Sequence, residues 1–257
     1  MEENKEKEIL IRTKDLCKCF RSELGEQYIL SHMNMEIYKK DFTVIMGASG
    51  TGKSTLLYHL SGLDTPTSGS ILFSGVEITK LNADEMAEFR RNRCGFVFQQ
   101  NCLIEELSVL DNVLVSGFLS GMKRKDIIRR TRELFRQVEI QEITEDKHPS
   151  QISTGRAQRV AIVRALINHP DVLFADEPTG ALNSKSSKEV LDIFSSFHRE
   201  GQSIIMVTHD VVSAVRGNRI IYLKDGRVLD ECNLGTYDGN DMARIQKLNE
   251  FLMAMGW

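Results

Sequence analysis

The sequence predicts an α/β fold: a P-loop NTPase core with a mixed sheet, an antiparallel β subdomain and an inserted helical subdomain. Three observations carry this expectation. A glycine-rich segment, Gly47-Ala48-Ser49-Gly50-Thr51-Gly52-Lys53-Ser54-Thr55, lies between a strand-like apolar run and a helix-like run. Along the chain the pattern is β-rich, then helical, then alternating β and α. Finally, the apolar runs before Asp176-Glu177 and His209 end in polar side chains, as buried strands opening onto a ligand crevice do.

Taken in order, residues 1–8 read as a charged, solvated tail. Ile9–Thr13 and Met33–Ile37 read as strands, with Ser22–Gln27 as a polar turn between them. Phe42–Met46 reads as a buried strand leading into the glycine-rich segment, which fits the pattern G-x-x-x-x-G-K-[ST]. Its glycines let the backbone curl so that successive N–H groups from Gly47, Ala48, Ser49, Gly50, Thr51, Gly52 and the Lys53-Ser54-Thr55 helix start converge on one anion. Lys53 then reaches the β/γ-phosphates of a nucleoside triphosphate, and the Ser54 hydroxyl is placed to ligate Mg²⁺. Ser70–Phe73 is expected to be a strand and Ala83–Asn92 a helix. From Asn101 to Pro149 the chain is mostly helical, and Ile127, Ile128, Leu134, Phe135 and Val138 follow the spacing of a subdomain core. Val172–Glu177 ends in two carboxylates: Asp176 can hold Mg²⁺, and Glu177, pointing elsewhere, can polarise an attacking water. Ser203–Thr208 delivers His209 to the same edge, where an imidazole can donate a hydrogen bond to charge developing on the γ-phosphate. After the Gly235–Asn240 loop, Ile245, Leu248, Leu252 and Met255 form the stripe of an amphipathic helix that packs on its own domain.

The phosphate-binding pattern alone admits kinases, GTPases, helicases and transporter ATPases. A guanine-reading [NT]-K-x-D motif is lacking, since Thr13-Lys14-Asp15-Leu16 has no final aspartate. Four further landmarks follow the loop in order: Gly95-Phe96-Val97-Phe98-Gln99, Ile152-Ser153-Thr154-Gly155-Arg156-Ala157-Gln158-Arg159, Asp176-Glu177-Pro178-Thr179-Gly180, and His209. With these the chain resembles the ATP-binding-cassette (ABC) ATPases from about Ile9 to Asp230. Gly62–Gly69, Phe89-Arg90-Arg91 and Ala175–Leu182 are similar to the branch that powers macrolide exporters, lipoprotein release and antimicrobial-peptide efflux.

The resemblance implies roles for further residues. Phe20, with Tyr28 as its rival, matches the aromatic position that stacks on adenine. Gln99 matches the glutamine that touches Mg²⁺ and the attacking water. Ser153 and Gly155 match signature residues that bind the γ-phosphate held by a second, facing ATPase subunit, a role suited to a Ser-x-Gly turn opening a helix expected over Arg159–Leu166. The stretch Leu107–Val113 lies where the family receives a coupling helix of the membrane subunit, although plain helix packing explains it equally well. The resemblance also implies ATP and Mg²⁺ as cofactors, an integral-membrane permease and a second, identical ATPase subunit as partners, and a place on the cytoplasmic face of the membrane. Its boundaries are 9–230 for the ATPase domain, with a helical subdomain at about 101–165, and 231–257 for a C-terminal loop and helix. Departures from the family pattern are Thr154 and Arg156 in the signature and Asn183 after Ala181-Leu182. They place the hydrolysis rate in question, because Thr154 is β-branched, Arg156 adds charge and Asn183 replaces a carboxylate.

Composition sets bounds on these readings. The 257 residues, 41% of them apolar, suffice for one substantial core with a subdomain. A formal charge of −3 gives no general pull toward nucleic acid, and no nucleic-acid partner is expected. The basic cluster Lys123, Arg124, Lys125, Arg129, Arg130 and Arg132 lacks interleaved aromatics and reads as a solvated helix face near anionic lipid. Cys17, Cys19, Cys94, Cys102 and Cys232 show neither CxxC nor zinc spacing, so free thiols in a reducing compartment are expected. No stretch approaches the ~20 apolar residues that cross a bilayer, and the first residues are unlike a secretion signal. Two other readings share the same cassette: a soluble ABC protein acting on ribosomes or DNA, and a module whose ATP binding gates a membrane signalling complex. Ribosome-acting relatives usually carry two cassettes and DNA-repair relatives a long coiled-coil insert, and the chain has neither.

Overall fold

The computed structural model describes residues 8–22, 25–239 and 241–257, which divide into two compact units. One unit runs up to Met86 and resumes at Val207–Trp257; the other is Ala87–Met206. In chain order the elements are β1 (Ile9–Ser22), β2 (Gly25–Tyr38), β3 (Phe42–Met46), α1 (Lys53–Leu60), β4 (Ser68–Phe73), β5 (Val76–Glu77), α2 (Ala83–Arg93) and β6 (Cys94–Phe98). They continue with α3 (Val109–Leu119), α4 (Arg124–Gln137), α5 (Thr154–Leu166), β7 (Val172–Asp176), α6 (Ser184–Arg199), β8 (Ser203–Val207), α7 (Val211–Ala214), β9 (Arg219–Lys224), β10 (Arg227–Asn233) and α8 (Asp241–Met255).

In the first unit an antiparallel sheet runs β2-β1-β4-β5. A second set of strands runs β10-β9-β3, with β10 antiparallel to β9 and β9 parallel to β3. Every residue of β3 is buried, as expected for an apolar run that must carry a ligand loop at its end. The expected turn over Ser22–Gln27 is corrected: the ladder continues through Phe20↔Gln27, Arg21↔Glu26 and Ser22↔Gly25. Polar residues read as a turn there, but an exposed edge of a two-stranded ribbon tolerates them equally well. Glu23 and Leu24, residues 1–7 of the expected tail and Asn240 lie outside the described residues. The C-terminal segment begins later than the expected break at Asp230, because β10 pairs with β9 as far as Asn233. Helix α8 then buries Leu248 and Leu252, while Phe251 and Trp257 pack edge-on against Tyr222. Buried Arg244 anchors it by donating to the carbonyls of Val215, Gly217, Leu234, Gly235 and Thr236.

The second unit holds the strands β8-β7-β6, with β6 and β7 parallel. Its helical part packs α3, α4 and α5 together, and Ile127, Leu134, Phe135 and Val138 are buried there. Ser108 caps α3 by accepting from the Asp111 N–H. Within Leu107–Val113, Val109, Asn112 and Val113 are buried, and the Asn112 amide donates to the carbonyls of Ile104, Leu107 and Ser108. The basic cluster is not one free lipid-facing surface. Arg130 donates to the carbonyls of Leu166 and Ile167 at the end of α5, Arg132 pairs with Glu145, and Arg129 pairs with Asp126. Carbonyls left over at a helix end attract cations, which is why Arg130 is turned toward the end of α5, while Arg129 and Arg132 are taken up by carboxylates. The five cysteines are all free thiols, and among the described residues no helix is long and apolar enough to cross a membrane.

His59, fully buried on α1, lacks a hydrogen-bond partner on either ring nitrogen among the described residues. Burial pushes its imidazole down to about 4; nearby Asp64 opposes this and Lys18 adds to it. Because the folded value lies below the ordinary 6.5, the unfolded chain takes up a proton that the folded chain refuses. Stability is therefore complete above pH 6.5 and is lost as pH falls toward 4. Between pH 7.5 and 5 the loss attributable to His59 should be about 2 kcal/mol. Denaturant unfolding of His59→Leu beside the parent at both pH values checks this; equal pH slopes would contradict it.

Candidate functional site

The phosphate loop follows from what its backbone must do. Gly47 (φ 153°) starts it where a Cβ would lie 2.3 Å from the Leu223 carbonyl oxygen on β9. Gly52 (φ 93°) precedes α1 in the left-handed region, and a Cβ there would lie 2.8 Å from the Ile29 carbonyl oxygen on β2. Only glycine meets both the angle and the space at these positions. Between them the Thr51 hydroxyl donates to the Ala48 carbonyl at 2.9 Å. Lys53 is buried, and its ammonium donates to the carbonyls of Gly47 (2.9 Å) and Ala48 (2.8 Å), across the loop it serves. The first turn of α1 holds neither a side-chain cap nor an acidic residue of its own, which suits the helix start to receiving an anion.

The same unit carries Phe20 and His209. Phe20 pairs with Gln27 and Tyr28 with Cys19, so the two rings belong to adjacent ladder pairs and point to opposite faces. Lys18 lies over the Phe20 ring and reaches Asp64 and Thr65 just past α1, which puts Phe20 on the α1 side of the sheet. His209 follows Thr208, whose N–H donates to Ile45 on β3, two residues before the loop begins. Asp210 then caps α7 by accepting from the N–H groups of Val212 and Ser213.

In the second unit β7 ends at buried Asp176, and Glu177 takes φ 47°, a left-handed conformation that a residue with a Cβ adopts at some cost. That turn separates the directions of two consecutive carboxylates. Gln99 follows β6, and its side chain lies against Gly180, where a Cβ would meet the amide nitrogen at 2.9 Å. Thus the structure brings Gln99 together with the Asp176–Gly180 turn. The signature helix is corrected: α5 starts at Thr154 instead of Arg159, with Ser153 as its cap accepting from the Arg156 N–H. A Ser cap needs its helix to begin at the next residue. Thr154 therefore occupies the first helical position, where a β-branched residue is readily held. Asn183 similarly caps α6 by accepting from the Ser186 N–H at 2.9 Å, which an amide oxygen does as well as a carboxylate. The two helix starts touch, since a Cβ on Gly155 would lie 2.8 Å from the Ser186 hydroxyl. Neither first turn contains an acidic residue, and among the described residues no acid pairs with the Arg156 guanidinium.

One residue was missed by sequence reasoning. Gln158, buried on α5, donates from its amide nitrogen to the carbonyls of Phe98 and Pro178, both at 2.8 Å. It ties the signature helix both to the strand before Gln99 and to the turn after Glu177. The available signal was a polar residue among the core-facing positions Ala157, Val160 and Ala161.

Known proteins resemble this chain in sequence and in fold. The ABC transporter family model matches residues 30–180. The macrolide export ATP-binding/permease protein MacB of Neisseria gonorrhoeae is 40% identical over 222 residues, which are 86% of this chain and 34% of that protein. The chain thus spans about a third of the length of that relative. An uncharacterized ABC transporter ATP-binding protein of Methanocaldococcus jannaschii, MJ0796, is 39% identical over 235 residues, 89% of this chain and 99% of the relative. A solved dimeric structure of the MJ0796 cassette, in a post-hydrolysis state bound to ADP and Pi, has a TM-score of 0.81 at 36% identity. It covers 89% of this chain and 100% of its own.

Replacing Lys53 with Ala removes the ammonium that closes the loop and leaves two carbonyls without their donor. ATP affinity should fall by about tenfold or more, since charge-assisted bonds to phosphate are among the stronger ones. Calorimetric titration with ATP checks this, and an unchanged affinity would contradict the loop assignment.

Proposed function

We propose that this chain, which belongs to the ABC transporter family, drives export or peptide handling through an integral-membrane permease. Its reaction is that of an ABC ATPase, hydrolysis of ATP to ADP and phosphate. The observation that carries the reading is the glycine-closed loop at the start of α1, with its buried lysine and a first helical turn that holds no acidic residue. In this reading the loop N–H groups and Lys53 bind the β/γ-phosphates, and the Phe20 ring takes the adenine. Glu177 accepts a proton from the attacking water as the bond between the γ-phosphorus and the bridging oxygen breaks. His209 and Gln99 donate hydrogen bonds to the γ-phosphate and to that water.

Mg²⁺ suits the donors present. Among the described residues no group of three or more His, Cys, Asp or Glu could hold a metal by itself. Mg²⁺ is usually bound by one or two protein oxygens plus phosphates and water, and Ser54, Asp176 and the Gln99 amide offer such oxygens. The bound ion would neutralise charge on the phosphates.

Ser153 and Gly155 contact the γ-phosphate held by a second copy, which makes the working unit a dimer; the related cassette is itself dimeric. Support for the permease comes from α3, which leaves Val115, Phe118 and Leu119 exposed after the Gln99 segment. The match to the ATP-binding part of an export ATP-binding/permease protein points the same way. Through that partner the chain works at the cytoplasmic face of the membrane.

Glu177→Gln should keep ATP binding while lowering turnover by roughly a hundredfold or more, because only the proton acceptor is lost. In detergent extracts of its host the variant should form an ATP-dependent dimer that carries an integral-membrane protein. Parent-like turnover would contradict the role of Glu177, and recovery with ribosomes or DNA instead would contradict the transport reading.

A further inference from the structure

The clearest unassigned arrangement runs from the end of α1 to the Phe20 ring. Asp64 is fixed to α1 because its N–H donates to the Tyr58 carbonyl at 3.2 Å. Its carboxylate accepts from Lys18 at 2.8 Å and lies 3.6 Å from Nδ1 of buried His59. Lys18 also donates to the Thr65 carbonyl at 2.9 Å, so its ammonium is held from two directions. The same ammonium sits 5.4 Å from the centroid of Phe20, a ring otherwise 56% exposed. On either side of Lys18 the chain is stitched to the same segment: the Thr67 N–H donates to the Cys17 carbonyl, and the Cys19 N–H donates to the Thr67 hydroxyl.

We propose that Lys18 is a positioning residue for base stacking, which anchors one face of Phe20 to the end of α1 through Asp64 so that the other face is presented to a purine. This rests on the reading of Phe20 as the base-stacking ring. The aromatic ring stands on an exposed ribbon edge, where it would otherwise sample several rotamers. A cation held by the helix that begins at the phosphate loop sets the ring at a constant reach from the phosphates. Binding then costs less ordering, which is the advantage of a preorganised site. Lys18 touches no substrate in this scheme, so its effect should be confined to the base.

The test compares two probes, Mg-ATP and inorganic tripolyphosphate, by calorimetry on the full chain. Lys18→Met should weaken ATP binding by about three- to tenfold, the scale of a lost cation–π contact and its ordering, and leave tripolyphosphate within about twofold. Asp64→Asn should shift ATP in the same direction, and Lys18→Arg should restore it. Equal weakening of both probes would reduce Lys18 to a structural role and overturn the proposal. Unchanged ATP affinity in Lys18→Met, with Phe20→Ala still weakened, would overturn the anchor and leave the base-stacking reading standing. ATP affinity insensitive to Phe20→Ala would overturn both.

Discussion

Everything functional in the first unit depends on one steric constraint, the passage of the chain from β3 into α1 between two other strands. Gly47 is pressed against the Leu223 carbonyl of β9 and Gly52 against the Ile29 carbonyl of β2. No side chain fits at either point, and the positive φ values there turn the backbone inward. The loop is thereby held at both ends by backbone from neighbouring strands. Lys53, bound to the carbonyls of Gly47 and Ala48, closes the ring from within. The antiparallel sheet therefore does more than support the ATPase core: β2 forms one wall of the loop, and β1 presents Phe20 on the α1 side.

The second unit solves a different problem, holding two helix starts and two loops in one register. Ser153 and Asn183 cap α5 and α6, and Gly155 lets their first turns meet at Ser186. Gln158 joins α5 to the strand ahead of Gln99 and to the turn after Glu177. A shift of the signature helix would break two buried hydrogen bonds, each costing about 1–3 kcal/mol if left unsatisfied. Thus the helix start, the Gln99 segment and the carboxylate turn are mechanically linked. The departures at Thr154 and Asn183 are absorbed by helix-capping geometry. Arg156 instead adds an exposed cation to a first helical turn that holds no acidic residue.

Much of this was legible in the sequence where the signal was local. Phe42–Met46 and Val172–Asp176 are strands with the expected bounds, because unbroken apolar runs bordered by glycine or carboxylates have few alternatives. The start of α5 was missed because Thr154-Gly155-Arg156 reads as a weak helix former until Ser153 is seen to cap it. The Ser22–Gln27 turn was misread because the residues that pair at the ribbon tip, Arg21 with Glu26 and Ser22 with Gly25, are of types that turns also favour. Long-range pairing hid the uses of Arg130, Arg132, Gln158 and Lys18. Each spends its donors on carbonyls or carboxylates at least 13 residues away, a relation that composition and periodicity do not encode.

The central claim is that the loop from Gly47 to Thr55, clamped by β2 and β9, is where the triphosphate binds. Amide hydrogen exchange with and without Mg-ATP, in the Glu177→Gln chain so that nucleotide persists, measures this directly. The expected result is protection concentrated in peptides covering residues 47–60, with the Phe20 segment of β1 slowed as well. Protection that spares the loop while appearing elsewhere in the chain would contradict the account.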